Sequence, residues 1–279
     1  MKINGYEFSL GADPEFFVSK AGKPVSAHGL IPGDKKNPFK VKGGAVQVDG
    51  MALEFNIDPA KNFKEFKGNM DGVMKTIMQM VPDYEQYDSP VAEFGFDYIE
   101  SQPLEAKELG CEPDYNAYTG EVNPRPDAAT PFRTASGHIH IGWTNGVDPH
   151  DPGHFMACRK LSRALDLFLG VPSLLWDTDT RRRELYGKAG AFRPKSYGME
   201  YRTLSNKWLD SKIPHLKAFV YHQTIDAVKA LFEDENILNK KISGYSPEEI
   251  VNKSLRDTVF HEAKYGTLGM KLPKDYRGM

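Results

Sequence analysis

Residues 134 to 143 read Thr-Ala-Ser-Gly-His-Ile-His-Ile-Gly-Trp, and a stretch that alternates this strictly has few conformations open to it. In an extended strand successive side chains point to opposite faces, so His138 and His140 share one side while Ile139 and Ile141 share the other. The isoleucines call for a core, which makes this the strand of a sheet with one buried face. Two imidazoles side by side suit a metal ion or a phosphate; the plainer alternative is a hydrogen-bonded interior histidine. Gly137 and Gly142 leave room for a ligand or another backbone to come close.

Carboxylates recur in the same alternating setting. Tyr6 to Lys20 passes through Gly-Ala-Asp13-Pro-Glu15-Phe-Phe-Val, a strand with an irregularity expected at Pro14, because proline cannot donate to a ladder. Asp13 and Glu15 fall on one face, where two buried ionised acids repel unless a cation lies between them. From Gly44 to Ile57 the pattern is a hairpin turning at Asp49-Gly50, and its second arm carries Glu54 opposite Leu53 and Phe55. Met199 to Leu204 alternates again and puts Glu200 beside Arg202, either a structural ion pair or a division of labour between cation and phosphate. The run Arg181-Arg182-Arg183 is ordinarily a solvated face. It leads into Gly187-Lys188-Ala189-Gly190 and Arg193, where small residues let backbone amides approach an anion, although the spacing is that of no nucleotide fingerprint.

Between these strands the periodicity turns helical. Asp58-Pro59 reads as a cap and first helical residue, followed by Phe63, Phe66, Met70, Val73, Ile77 and Met80 at steps of three and four. Residues 153–170 predict a helix closed by Gly170, and 214–232 another. Ser246-Pro247-Glu248-Glu249 opens one running to about Ala263. Gly95 to Ile99 reads as a short strand, and Pro24 to Gly44 as a loop. Residues 83–133 are a long loop or insertion and 264–279 a tail on a single domain spanning 1–279. His150 and His154 read as polar surface residues.

Composition narrows the partners. The 279 residues carry a formal net charge of -2, so no basic field draws in nucleic acid. Cys111 and Cys158 have no metal-ligand spacing and form no disulfide framework. With no signal-peptide pattern and no apolar run of membrane-spanning length, the expectation is a soluble cytoplasmic protein with no membrane partner.

Taken in order, GADPEFF, VDGMALEFN, SGHIHIGW and YGKAGAFRPKSYGMEYRTLSN resemble the phage-encoded carboxylate-amine ligase type 2 family, within the superfamily of glutamine synthetase and glutamate-cysteine ligase. The resemblance spans about residues 10 to 210. It implies an α+β fold: a curved antiparallel sheet, or funnel, with helices outside and divalent cations between sheet and nucleotide. It implies one metal site from Glu15 and Glu54 and a second from Asp13, His138 and Glu200. Asp13 is shorter than the usual Glu, which calls for a bridging water. His140, Arg202 and, less directly, Arg193 match positions near the nucleotide phosphates. Lys188 joins them as a nucleotide contact, and Asp49 falls near a further metal-ligand position without a secure alignment. The implied activity is ATP- and magnesium- or manganese-dependent joining of a small-molecule or peptide carboxylate to an amine through an acyl phosphate, releasing ADP and phosphate. The resemblance names neither substrate, both of which meet variable loops. Two other readings remain at this point, a non-heme iron enzyme built on the two histidines and a carboxylate, and an inactive ligase-fold interaction protein.

Overall fold

The computed structural model describes residues 1–107, 113–125, 129–213, 215–232 and 247–253. Its centre is a ten-stranded sheet in which every pairing is antiparallel. In chain order the strands are β1 (Ser9–Lys20), β2 (Lys23–Val25), β3 (Phe39–Val41), β4 (Gly44–Asp49), β5 (Ala52–Ile57), β6 (Glu85–Tyr87), β7 (Tyr115–Asn116), β8 (Gly137–Gly142), β9 (Ala191–Lys195) and β10 (Gly198–Tyr201). The main path runs β7-β9-β10-β8-β1-β5-β4-β3, with β2 and β6 added along the far half of β1. It is an open sheet with two ends, not a closed barrel.

The expected irregularity at Pro14 does not occur, and β1 runs unbroken from Ser9 to Lys20. The reason lies in its neighbours. The β5 register covers only Glu15 and Phe16, so the missing proline N–H falls before that ladder begins. On the other side Glu15 N donates to Ser136 O at 2.8 Å. Alternation therefore holds along the whole strand.

One face of the sheet is apolar. Leu10, Ala12, Phe16, Ile139, Ile141, Met199, Tyr201, Phe192, Leu53, Phe55 and Val46 are buried there in a single core. Against this face pack α1 (Phe63–Met80), over β4 and β5, and α2 (Pro152–Leu165), over β9 and β10; α3 (Leu216–Phe232) lies against both helices, and the short α4 (Pro247–Lys253) against the turn at Asp166–Gly170. Phe66, Met70, Val73 and Ile77 form the inward stripe of α1, and burial of such side chains contributes ~2 kcal/mol each. Among the described residues no helix is long and apolar enough to cross a membrane.

Several boundaries differ from the sequence reading. The first helix starts at Phe63, not after Asp58-Pro59, because Ala60 is held extended by two backbone hydrogen bonds with Leu10. Its cap is Asn62, which accepts from Glu65 N at 3.0 Å while Glu65 accepts from Lys61 N at 2.8 Å. Gly95 to Ile99 is not a strand: Gly95 turns at φ +80° and Phe96–Glu100 is one helical turn and a half that buries Ile99. The stretch from 83 onward is not a plain loop, since β6 joins the sheet and Val91–Glu93 pairs with Phe132–Thr134. Cys111, the helix residues beyond Lys253 and the 264–279 tail lie outside the described residues, whereas Cys158 is a buried free thiol.

Gly170 does not close its helix. It is itself helical (φ -59°, ψ -50°) in a π-turn spanning Asp166–Gly170, and a β-carbon there would meet Tyr201 Oη at 2.9 Å. That bulge aims Asp166 at the underside of β10. Its carboxyl accepts from Tyr118 Oη and Tyr201 Oη, both at 2.8 Å, and from Thr203 Oγ1 at 3.4 Å. Burial pushes Asp166 up to about 7 despite those donors. With the folded value above the unfolded one, protonated Asp166 stabilises the fold at low pH. That contribution is lost as pH rises from about 4 through 7, by up to about 4 kcal/mol on full linkage. Asp166→Asn does not titrate, so its stability relative to wild type should rise between pH 5 and pH 8. Urea denaturation of both proteins at the two pH values reads this, and a constant difference contradicts it.

Candidate active site

The face opposite the helices is polar, and its side chains follow from register. His138 stands opposite Asp13 and His140 opposite Gly11 on one side and Glu200 on the other; Arg193 stands opposite Glu200. Glu15 is paired with Glu54 and Glu54 with Gln47. Because paired residues of antiparallel strands share a face, the predicted acids and imidazoles from segments up to 187 residues apart are gathered on one surface.

Two groups form there, joined through β1. In the first, ligand atoms of Asp13, His140 and Glu200 lie within 4.8 Å of one another, and in the second those of Glu15, Asp49 and Glu54 do. The second group includes the unaligned Asp49. The first brings His140 to Asp13 and Glu200, the two carboxylates that the resemblance pairs with His138. His138 stands alongside, with Nδ1 3.4 Å from Asp13 Oδ1, 3.2 Å from Glu200 Oε1 and 3.4 Å from Arg202 Nη1. A guanidinium held against that nitrogen competes with any other cation for it.

Electrostatics separates the two groups. Burial works against ionisation of Asp13, but His140 and His138 more than offset it and hold its carboxyl well below the usual range. Burial and the Arg202 charge lower His138 to about 4. In the second group nothing comparable offsets the crowding. Burial, followed by the Asp49 charge, raises Glu15 to about 7, and burial with Asp13, Asp49 and Glu15 raises Glu54 well above its ordinary value. Glu15 accepts from Ser136 N at 2.9 Å and Glu54 from Gln47 Nε2 at 2.7 Å. These are neutral donors; among the described residues the ion pair of this group is that of Lys35, whose Nζ is 2.7 Å from Asp49 Oδ2.

Glu200, by contrast, is surrounded by cations. Arg202 Nη1 donates to one oxygen, while Arg193 Nη1 at 3.2 Å and Lys195 Nζ at 3.3 Å meet the other. Arg202 is buried, with Nε on Asp114 Oδ2 at 3.1 Å and its guanidinium over the Tyr186 ring. Arg202 thus grips two carboxylates, Glu200 and Asp114. Lys188 is not brought to the clusters: its carbonyl accepts from Thr203 Oγ1 at 3.0 Å, and among the described residues its ammonium makes no hydrogen bond or ion pair. Gly187 and Gly190 owe their presence to φ values of +76° and +72° and to packing against Arg182 and Tyr118.

The arginine run is not a solvated face. Arg182 and Arg183 are buried, Arg182 donating to Thr203 O at 2.7 Å and to Ser136 Oγ at 3.2 Å, and Arg183 to Asp177 Oδ2 at 3.1 Å. They hold the segment that brings the Tyr186 ring against His138 and Arg202. His154 is also buried, its Nε2 3.0 Å from both Lys195 O and Gly198 O, which pins the turn between β9 and β10. On that turn Tyr197 Oη is hydrogen-bonded to His140 Nδ1, leaving Nε2 toward Asp13. Lys195, Tyr197, Asp114, Gln47 and Lys35 went unnoticed in the sequence. Only Lys195 had a legible signal, because Arg193-Pro194-Lys195 alternates onto the face of Arg193.

The residues present suit hard divalent cations. Most donors are carboxylate oxygens, and Asp13 Oδ1, His138 Nε2 and His140 Nε2 are buried without a hydrogen-bond partner. His140 Nε2 lies 3.0 Å from Asp13 Oδ1 but without hydrogen-bond alignment. Removing charge should act oppositely at the two groups in chelator-treated protein. Glu200→Gln leaves buried Arg202 short of a counter-charge and should cost on the order of 3 kcal/mol. Glu54→Gln relieves crowding and should cost less than about 1 kcal/mol. Thermal unfolding of the two variants checks this, and equal losses refute it.

No curated protein matches this chain. The span 129–242 carries β8, β9, β10, Arg193, Glu200 and Arg202, though not β1 or the β4–β5 hairpin, and it matches the family described as Phage phiEco32-like COOH.NH2 ligase-type 2, the same family that the ordered motifs resemble.

Proposed function

We propose that the protein is an ATP-dependent carboxylate-amine ligase whose polar sheet face binds nucleotide through divalent cations. The observation that carries this is the pair of ligand groups, Asp13–His140–Glu200 and Glu15–Asp49–Glu54, set side by side by two residues of one strand. The matched family's description, a COOH.NH2 ligase, supports the reaction class. The open sheet with helices on its apolar face is read as the glutamine synthetase-like funnel.

In this reading Asp13, His140 and Glu200 hold one magnesium or manganese ion, and Glu15, Glu54 and Asp49 the other. Ions held there would supply positive charge to the nucleotide phosphates and offset the charge that develops during phosphoryl transfer. Arg193 and Lys195 are the more exposed of the cations around Glu200, with side chains 17% and 27% accessible against 7% for Arg202, and they face the triphosphate. Arg202 fixes Glu200 and Asp114 and adds to the burial that keeps His138 neutral. Tyr197 orients His140. The substrate carboxylate attacks the terminal phosphorus of ATP, and the amine then displaces phosphate from the acyl phosphate, leaving the amide, ADP and phosphate.

Terminal phosphoryl transfer leaves ADP, whereas adenylation leaves AMP and pyrophosphate. With a panel of amino acids and small peptides as carboxylates and hydroxylamine in place of the amine, a productive carboxylate should give hydroxamate and ADP in equal amounts. Formation of AMP, or of hydroxamate with no nucleotide consumed, refutes the mechanism.

This reading also orders the histidines. His140→Ala should raise the magnesium concentration needed for half-maximal nucleotide binding by about tenfold or more, the scale of losing a metal ligand or its support, and His138→Ala by less. A larger effect from His138→Ala restores the assignment implied by resemblance alone.

A further inference from the structure

We infer that Lys35 sets the cation affinity of the Glu15–Asp49–Glu54 group, acting as an internal counter-ion that an incoming divalent ion must displace. The inference rests on the reading of that group as a metal site. Lys35 Nζ is 2.7 Å from Asp49 Oδ2, and its positive charge also acts on Glu15 and Glu54. Three carboxylates crowd there around one ammonium, whereas the Asp13–His140–Glu200 group has two guanidinium groups and a lysine of its own.

The surroundings of Lys35 separate a fixed backbone from a movable tip. Gly33 O accepts from Val48 N at 3.2 Å, and at φ +95° a β-carbon on Gly33 would fall 2.5 Å from Val46 O, so the loop is seated against β4. Asp34 Oδ1 then accepts from Lys36 N at 2.8 Å and Asn37 N at 2.9 Å, fixing the turn that presents Lys35. The Lys35 side chain itself is 53% accessible and ends in a flexible four-carbon stem. It can swing into solvent without disturbing the loop. A divalent ion, with twice the charge and direct oxygen coordination, replaces the ammonium rather than binding beside it.

Manganese binding to the full-length, nucleotide-free protein tests this, read by electron paramagnetic resonance of free ion and by the thermal shift at fixed ion concentration. Lys35→Met should bind the ion about threefold more tightly or better, the scale of removing one partly screened ion pair, and show the larger thermal shift. Lys35→Arg should bind about as wild type does. The gain should vanish in Lys35→Met combined with Glu54→Gln. If Glu54→Gln abolishes binding but Lys35→Met leaves affinity unchanged or weaker, the role of Lys35 is overturned and the metal reading stands. A gain that survives Glu54→Gln overturns it as well, by showing a general charge effect. If neither wild type nor Lys35→Met binds manganese, both readings fall.

Discussion

The register that sets His138 against Asp13 is the constraint on which the polar face depends. A strand's side chains have a period of two, so a slip of one residue between β8 and β1 would turn both imidazoles into the core and both isoleucines toward the carboxylates. The core prevents this. Ile139 and Ile141 pack with Leu10 and Ala12 on the same side, and the helices α1, α2 and α3 cover them. Hydrophobic burial on one face thus positions the charged groups on the other, and the cost of crowding those charges is carried by packing they do not touch.

That cost is distributed unevenly. Around Glu200 the fold supplies its own cations, and Arg202, gripped by Glu200 and Asp114, carries buried charge in a form that is satisfied on nearly every side. Beside Glu15 and Glu54 it supplies a half-exposed lysine, and burial, with the neighbouring carboxylates, drives both carboxyls up. Asp166 shows the same physics with neutral donors: three hydroxyls turn toward it from Tyr118, Tyr201 and Thr203, and burial still raises it. It ties the π-turn to the back of β10, so the strand bearing Glu200 is held from both faces.

Buried guanidinium groups fix several irregular segments around the sheet. Arg182 reaches the carbonyls of Arg202 and Thr203, Arg183 pairs with Asp177, and Arg159 holds the carbonyls of Ala117 and Tyr118. An arginine fork can satisfy several irregular carbonyls at once, which suits loops that cannot form ladders of their own.

Alternation and helical period in the sequence alone determined the strands carrying Asp13, Glu15, Glu54, His138, His140 and Glu200, their shared faces, and the helices that back them. Those are local consequences of backbone geometry, legible wherever polar and apolar residues keep a period. What only the tertiary structure decided is which partner each polar group finds. Both imidazoles reach Asp13, Arg202 grips carboxylates, and Lys35 arrives from a loop with no periodicity. Pro14 is harmless because of where the neighbouring strand begins, Asp58-Pro59 starts no helix because Ala60 is needed beside Leu10, and the arginine run is buried because distant carbonyls need donors. Each of these rests on contacts between residues far apart in the chain, and a charge or a turn residue carries in its own neighbourhood no record of the partner that will meet it.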